Sequence, residues 1–334
     1  MIPRRNTLVG SLILGILIFS NCGTRWNQSH PIIIGSYAVS DAQIENIILL
    51  ARSLRQFGSS YCDAPIWLYI DEGLQEYIST YASALDSLGI RTRISQTPED
   101  AAWFYFAGKV FAAGLAESEA RGKTDVLAWL DEDTIILQEP GELYLKRGIN
   151  LAYRPVMHQN IGLRYDEDPD AFWQRALEKM TVSPDQLFPM VTPADGDTIL
   201  PYFNAGCLIV RPEKGLLQQW GQYFERLYQD SILTRMCRED IRKRIFIHQV
   251  ALTGAILNNT ERDQITELSN RYNYPIFFEQ MFGARRRFND IRDVVTFRHE
   301  SYWRDPAPDW AEQLIGPADR IEWMQKHLGV QAQK

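Results

Sequence analysis

Short apolar runs alternate with segments of helical period over residues 30–133, and that rhythm leaves the chain few folds to choose from. "HPIIIGSYA" (30–38), "APIWLYID" (64–71), "IRTRISQ" (90–96) and "TDVLAWLDED" (124–133) read as strands, three of them β-branched or aromatic runs bounded by Pro or Gly. Between the first two, Ile44, Ile47, Ile48, Ala51 and Leu54 recur one helical turn apart, opened by Ser40 with Gln43 and closed by Gly58. "GLQEYISTYASALDSLG" (73–89) and "AAWFYFAGKVFAAGLAESEA" (101–120) supply two more helices. A strand that returns through a helix pairs in parallel, so the pattern predicts a mostly parallel sheet flanked by helices.

Further on the rhythm loosens. "GINLAYRP" (148–155), "YFNAGCLIVRP" (202–212) and "DVVTFRHE" (293–300) predict strands, and "ITELSNRYNYP" a short strand running into a loop. "GLLQQWGQYFERLYQD" (215–230) and "RIFIHQVALTGAIL" (244–257) predict helices, and the proline-punctuated 164–200 reads as an inserted loop. With 334 residues and no repeat or linker tract, residues 30–305 are expected to form one α/β domain, and 306–334 a helical tail.

Charge and cysteines narrow the function classes. A net charge of −7 argues against a nucleic-acid surface, which needs clustered Lys and Arg. Cys22, Cys62, Cys207 and Cys237 show no C-x-x-C or Cys/His spacing, so no zinc site is indicated. The N-terminus has Arg4 and Arg5 before an apolar run from Leu8 to Phe19, too short to span a bilayer with ease and typical of a secretory signal. "FSNC" ends at Cys22 and resembles a bacterial lipobox, whose cysteine is lipidated. Residues 1–29 are therefore expected to be a signal peptide, a lipoprotein signal or an uncleaved anchor, with the protein membrane-associated through its N-terminus. The location is then either that of a bacterial lipoprotein or a secretory-pathway lumen.

The acidic cluster Asp131, Glu132 and Asp133 follows the fourth strand. In an open α/β sheet ligands bind beyond the carboxyl ends of strands, which favours a functional role over a solvated strand end. If the cluster stays extended, Asp131 and Asp133 share a face and Glu132 points away. Two hard oxygen ligands on one face suit Mn²⁺ or Mg²⁺ bound together with phosphate oxygens.

"VLAWLDEDTIIL" resembles the D-x-D segment of nucleotide-sugar glycosyltransferases with the GT-A fold, nearest to the glycogenin and family 8 group. "YFNAGCLIVRP", "IFIHQVALTGAIL", "LSNRYNYP" and "VVTFRHESYW" follow in the order of that group's later motifs. The resemblance implies a GT-A-like, Rossmann-type mixed sheet and a metal-dependent transfer from a nucleotide-diphosphate sugar to a glycan, glycolipid or protein acceptor. It implies Asp131, Asp133 and His299 as metal ligands, and Asn204, His248 and Gln249 at the reacting sugar. Gly35, Ser36, Tyr37, Lys109, Asp131 and Gly206 would lie against the donor. Two departures stand out: His248 precedes Gln249 where the group has Asp, and its H-x-x-G-x-x-K ending is absent after His299.

Blander roles remain open for these residues: His299 as a core histidine, His248 as a polar helix residue, Lys109 as a snorkelling surface chain. Two other functions compete. One is a catalytically silent GT-A-like glycan-binding protein. The other is a haloacid-dehalogenase-type phosphotransferase, since "LDEDTI" resembles its D-x-D nucleophile motif, although here the motif follows the fourth strand rather than the first.

Overall fold

The computed structural model describes residues 32–276, 288, 290–299 and 310–328. Residues 1–31, which hold the expected signal and Cys22, lie outside the described residues, as does the segment just after His299.

β1 (Ile32–Ala38), α1 (Asp41–Phe57), β2 (Ile66–Asp71), α2 (Ile78–Ser87), β3 (Ile90–Ser95), α3 (Ala107–Ala120) and β4 (Val126–Leu130) follow the expected alternation. Their strands are parallel, in the order β4-β1-β2-β3. The sheet continues past β4 through β9 (Phe203–Val210), β6 (Leu151–Pro155) and β10 (Ile265–Glu267). β9 runs antiparallel to both of its neighbours, so the sheet is mixed but mostly parallel, the arrangement expected from the resemblance.

Strand alternation sorts the core into two layers. Ile33, Trp67, Tyr69, Leu127 and Trp129 face α3, α5 (Leu216–Tyr228) and α7 (Ile241–Asn259). Ile32, Ile34, Leu68, Ile70, Val126 and Ala128 face α1 on the other side. Such strands are apolar on both faces, which explains why "PIII" and "VLAWL" carry no polar alternation. α3 meets the sheet through Ala107, Ala112, Ala113, Ala116 and Ala120, whose small side chains let the helix lie close.

Four expectations shift. The helix expected over 101–120 begins only at Ala107, because turn-type bonds from Phe104 N–H to Ala101 and from Ala107 N–H to Phe104 precede it. Phe104 is buried there and pins the aromatic segment in place. The expected loop at 164–200 holds α4 (Ala171–Met180), capped by Asp170 on the Trp173 N–H at 2.8 Å, and the hairpin of β7 (Met190–Val191) and β8 (Thr198–Ile199). α6 (Ser231–Glu239), capped by Asp230, fills the gap between the two expected helices. β5 (Thr134–Ile136) pairs with β11 (Thr296–Arg298), and α8 (Ala318–Leu328) buries Met324 and Leu328 against this region, so it packs as part of the fold. No described helix is long and apolar enough to cross a membrane.

One helix end is capped from a distance. Glu117 on α3 is fully buried and accepts from the Gln218 N–H in the first turn of α5 at 2.9 Å. Burial pushes its carboxyl up from 4.5 to about 7, against the opposing backbone hydrogen bonds. The folded state therefore keeps a proton that the unfolded chain releases. This contribution to stability is complete below 4.5 and is lost as pH rises toward 7, at up to about 1.4 kcal/mol per pH unit. Glu117→Gln keeps an acceptor for Gln218 and is expected to flatten that slope, read as urea midpoints across the same pH window.

Candidate active site

The chain leaves β1 toward β2 on one side and comes back to β4 on the other. This reversal opens a crevice beyond the carboxyl ends of β1 and β4, the usual ligand position in such sheets. A cavity of about 700 Å³ occupies it, within the range of ligand sites.

Asp131 continues the phase of Leu127 and Trp129, which face α3, so its carboxylate projects toward that helix and meets the Lys109 ammonium. Lys109 comes this close because α3 starts with Ala107 and Gly108. A Cβ on Gly108 would stand 2.0 Å from the Tyr37 hydroxyl. Burial alone would raise the Asp131 carboxyl, but Lys109, then Arg298, outweigh it and hold it below the usual carboxylate range.

The cluster itself is not extended. The Thr134 N–H donates to the Asp131 carbonyl at 3.1 Å and closes a turn, so the expected alternation lapses. Glu132 consequently does not point away; it borders the cavity with Asp131 and Asp133. It accepts from Gln43 Nε2 at 2.8 Å. Burial, then the charges of Asp133 and Asp131, push its carboxyl up to about 8, so it carries a proton at neutral pH. Gln43 also accepts from the Val39 N–H at 2.7 Å, which makes the start of α1 a brace for the acidic turn.

Asp133 is 3% exposed and meets Arg298, whose Nε lies 3.3 Å from both carboxylate oxygens. Arg298 Nη2 also stands 3.9 Å from Asp131 Oδ2. At the neighbouring strand β9, the Asp131 N–H donates to the Gly206 carbonyl at 2.9 Å, and the Gly206 N–H to Asn204 Oδ1 at 2.7 Å. A Cβ on Gly206 would fall 2.2 Å from Asp131 Oδ2, so only glycine fits.

α7 supplies His248 and Gln249 from its buried face. His248 Nδ1 lies 2.8 Å from the Ile245 carbonyl, which fixes that nitrogen as the N–H and leaves Nε2 as an acceptor. Burial first, and Lys109 second, push its pKa down to about 3, so the ring is neutral. Gln249 is 8% exposed, and its Oε1 is a buried oxygen with no hydrogen-bond partner among the described residues.

The cavity wall thus brings together Tyr37, Lys109, Asp131, Asp133, Asn204, Gly206, His248 and Gln249. Gly35 and Ser36 are not part of it. They lie inside the sheet, Gly35 against the Trp129 ring and Ser36 donating to the Leu130 carbonyl at 2.8 Å. His299 is not part of it either. Phe297 and His299 turn to the core and are fully buried, while strand alternation sends Arg298 to the cavity between them. The His299 N–H donates to the Asp133 carbonyl at 3.1 Å, so it braces the acidic turn through its backbone.

Sequence reading missed Arg298, although the alternation of "TFRH" was there to find it. It also missed Glu132 and Gln43, because a turn has no period to read.

Among the described residues, no group of three His, Cys, Asp or Glu side chains stands ready to hold a metal ion. Asp131, Asp133 and His299 form no such group as they stand. Asp131 and Asp133 alone remain a hard-oxygen pair on the cavity wall, a donor set that Mg²⁺ or Mn²⁺ commonly shares with phosphate oxygens and water. The pair fits such an ion once Arg298 yields Asp133.

The profile of the Rhodobacterales glycosyltransferase domain matches residues 40–259, which span α1 to α7 and all of the cavity wall except Tyr37, Val39 and Arg298. The chain belongs to this glycosyltransferase family. No curated protein matches it in sequence. Among solved structures, this glycosyltransferase is similar to the galactosyltransferase LgtC in complex with donor and acceptor sugar analogs, at 16% identity over 90% of this chain and 97% of that one, TM-score 0.48. It is similar also to mouse xyloside xylosyltransferase 1 (12% identity, 80% and 97% covered, TM-score 0.44). A third is core-mannan synthase A from Aspergillus fumigatus in its Mn/GDP form (10% identity, 71% and 72% covered, TM-score 0.41).

Proposed function

We propose that this glycosyltransferase takes its sugar from a nucleotide-diphosphate donor laid across the ends of β1 and β4, and passes it to a saccharide acceptor. The observation that carries this reading is the set of two carboxylates and two cations on one cavity wall at the sheet's switch point. Tyr37, Val39 and Gln43 line the part next to β1 and would take the nucleoside. Lys109 and Arg298 would take the diphosphate, and Asn204, Gly206, His248 and Gln249 the sugar.

In the transfer, the acceptor hydroxyl oxygen bonds to the anomeric carbon. The bond from that carbon to the diphosphate breaks, its electron pair leaves on the nucleotide, and the hydroxyl proton passes to a phosphate oxygen or to solvent. Negative charge thus grows on the leaving diphosphate, beside Lys109 and Arg298, where preorganised cations lower the barrier most. A bound Mn²⁺ or Mg²⁺, held by Asp131 and Asp133, would add Lewis-acid neutralisation of that charge. His248 Nε2 and Gln249 Oε1 accept hydrogen bonds from sugar hydroxyls, and Asn204 offers its amide N–H groups, since its Oδ1 is already taken by Gly206. Positioning of this kind supplies the orientation term of the rate.

Thermal unfolding with Mn²⁺ and a panel of UDP- and GDP-sugars tests the proposal. At about a hundred times Kd, binding stabilises the native state by about 2.7 kcal/mol. That increment is expected for wild type and is expected to vanish in Asp133→Asn. No metal-dependent shift with any donor would overturn the reading. Membrane attachment through the N-terminal run belongs to the same proposal, with the acyl mass on Cys22 as its check.

A further inference from the structure

The segment ahead of α3 carries an exposed aromatic cluster next to the cavity. Phe104 anchors it in the core, while Trp103, Tyr105 and Phe106 remain 39%, 62% and 37% exposed. The Phe106 ring packs on His248 at 4.5 Å, and Tyr105 and Phe106 both border the cavity. From the sugar position at His248 the surface thus leads directly outward onto these rings.

Two arginines are built into the same surface. The Arg244 guanidinium lies 4.8 Å from the Trp103 ring centre and 4.7 Å from that of Tyr105. Arg238 stands over Trp103 at 5.9 Å. Among the described residues neither has a carboxylate partner, and Arg244 Nε is a buried donor with no acceptor. This contrasts with nearby Arg242, which is paired with Asp240 at 3.3 Å. The two guanidiniums thus stand on a ring cluster whose Tyr105 and Phe106 border the cavity. A guanidinium stacked on a ring keeps its N–H groups in plane, the geometry that receives a carboxylate or phosphate through paired hydrogen bonds.

We propose that this surface is the acceptor subsite, and that the acceptor is an anionic saccharide: its carboxylate or phosphate meets Arg244 and Arg238 while a sugar ring lies on Tyr105. The inference rests on the donor reading above and adds the acceptor's chemical class. Burying one face of the sugar on Tyr105 would direct a hydroxyl inward past Phe106 to His248. The acidic group would set which sugars are accepted.

The test uses the full chain and three probes: methyl glucuronide, a methyl glucoside phosphate and neutral methyl glucoside, with affinities read by NMR titration. At least one anionic probe is expected to bind about tenfold tighter than the neutral one, the value of a charge-assisted hydrogen bond. The stronger anionic arm tells carboxylate from phosphate. Arg244→Met and Arg238→Met are each expected to remove most of that preference, and Tyr105→Ala to weaken all three probes. UDP and GDP affinities of the two arginine variants should stay within about twofold of wild type, since both lie outside the donor contacts. Equal binding of neutral and anionic probes, no binding of any probe, or an unchanged preference in both arginine variants would overturn the proposal. If nucleotides bind while no anionic saccharide does, the subsite fails alone; if wild type binds neither, the donor reading has failed with it.

Discussion

Lys109→Met is expected to reduce unfolding stability by about 3–5 kcal/mol and transfer by about a hundredfold or more. Lys109 and Asp131 form a pair whose side chains are 11% and 12% exposed. Removing one member of a buried pair leaves the other charge desolvated without its nearest compensation. Arg298, at 3.9 Å and already engaged with Asp133, compensates only in part. The pH dependence follows from the same geometry. With Lys109 present, the Asp131 carboxyl is held low, so its contribution to stability is present at neutral pH and is lost as pH falls through that lowered value. Without Lys109, burial dominates and the carboxyl takes up a proton, so the deficit should shrink as the solution is acidified. The double variant with Asp131→Asn leaves no unpaired charge and is expected to recover part of the stability, but none of the activity. Strict additivity of the two single changes would show that the pair is not coupled.

The contrast between Asp131 and His299 marks how far sequence reading reaches in this protein. Asp131 was legible because β4 is regular. An apolar run buried on both faces fixes the phase, and the phase aims the next residue at α3, where Lys109 lies. Strand–helix alternation gave the parallel half of the sheet for the same reason. Legibility fails where backbone geometry departs from a period. The turn at 131–133 brings Glu132 to the cavity, contrary to strand alternation.

β9 posed a different problem. Its sequence reads as a strand, but nothing in its eight buried residues tells antiparallel from parallel pairing. That direction matters, because it sets Asn204 and Gly206 at the end of β4 beside Asp131 rather than at the far edge of the sheet. At β11 the resemblance pointed to His299, whereas alternation in the strand favours Arg298 as the residue facing the cavity. In the structure Arg298 borders the cavity, and His299 is buried with its N–H on the Asp133 carbonyl.

Trp220→Ala is expected to cost about 3–5 kcal/mol in unfolding stability and to lower activity as well, although Trp220 lies outside the cavity. The indole is fully buried between α5 and α7, and its Nε1–H donates to the His248 carbonyl at 2.7 Å. Truncation would open a void under the turn of α7 that presents His248 and Gln249. Interiors are packed too closely for the surroundings to fill such a space completely. Trp220→Phe separates the two roles of the side chain. It keeps most of the volume but loses the hydrogen bond and one ring's share of the packing; the acceptor is a helix carbonyl with its own backbone donor, so about 1–2 kcal/mol is expected. Denaturant midpoints at unchanged slope give the stability terms. If the site depends on the placement of α7, the alanine variant should lose kcat out of proportion to its folded fraction, while the phenylalanine variant should keep it. An alanine variant that is destabilised but fully active when folded would show that α7 holds His248 and Gln249 in place without Trp220.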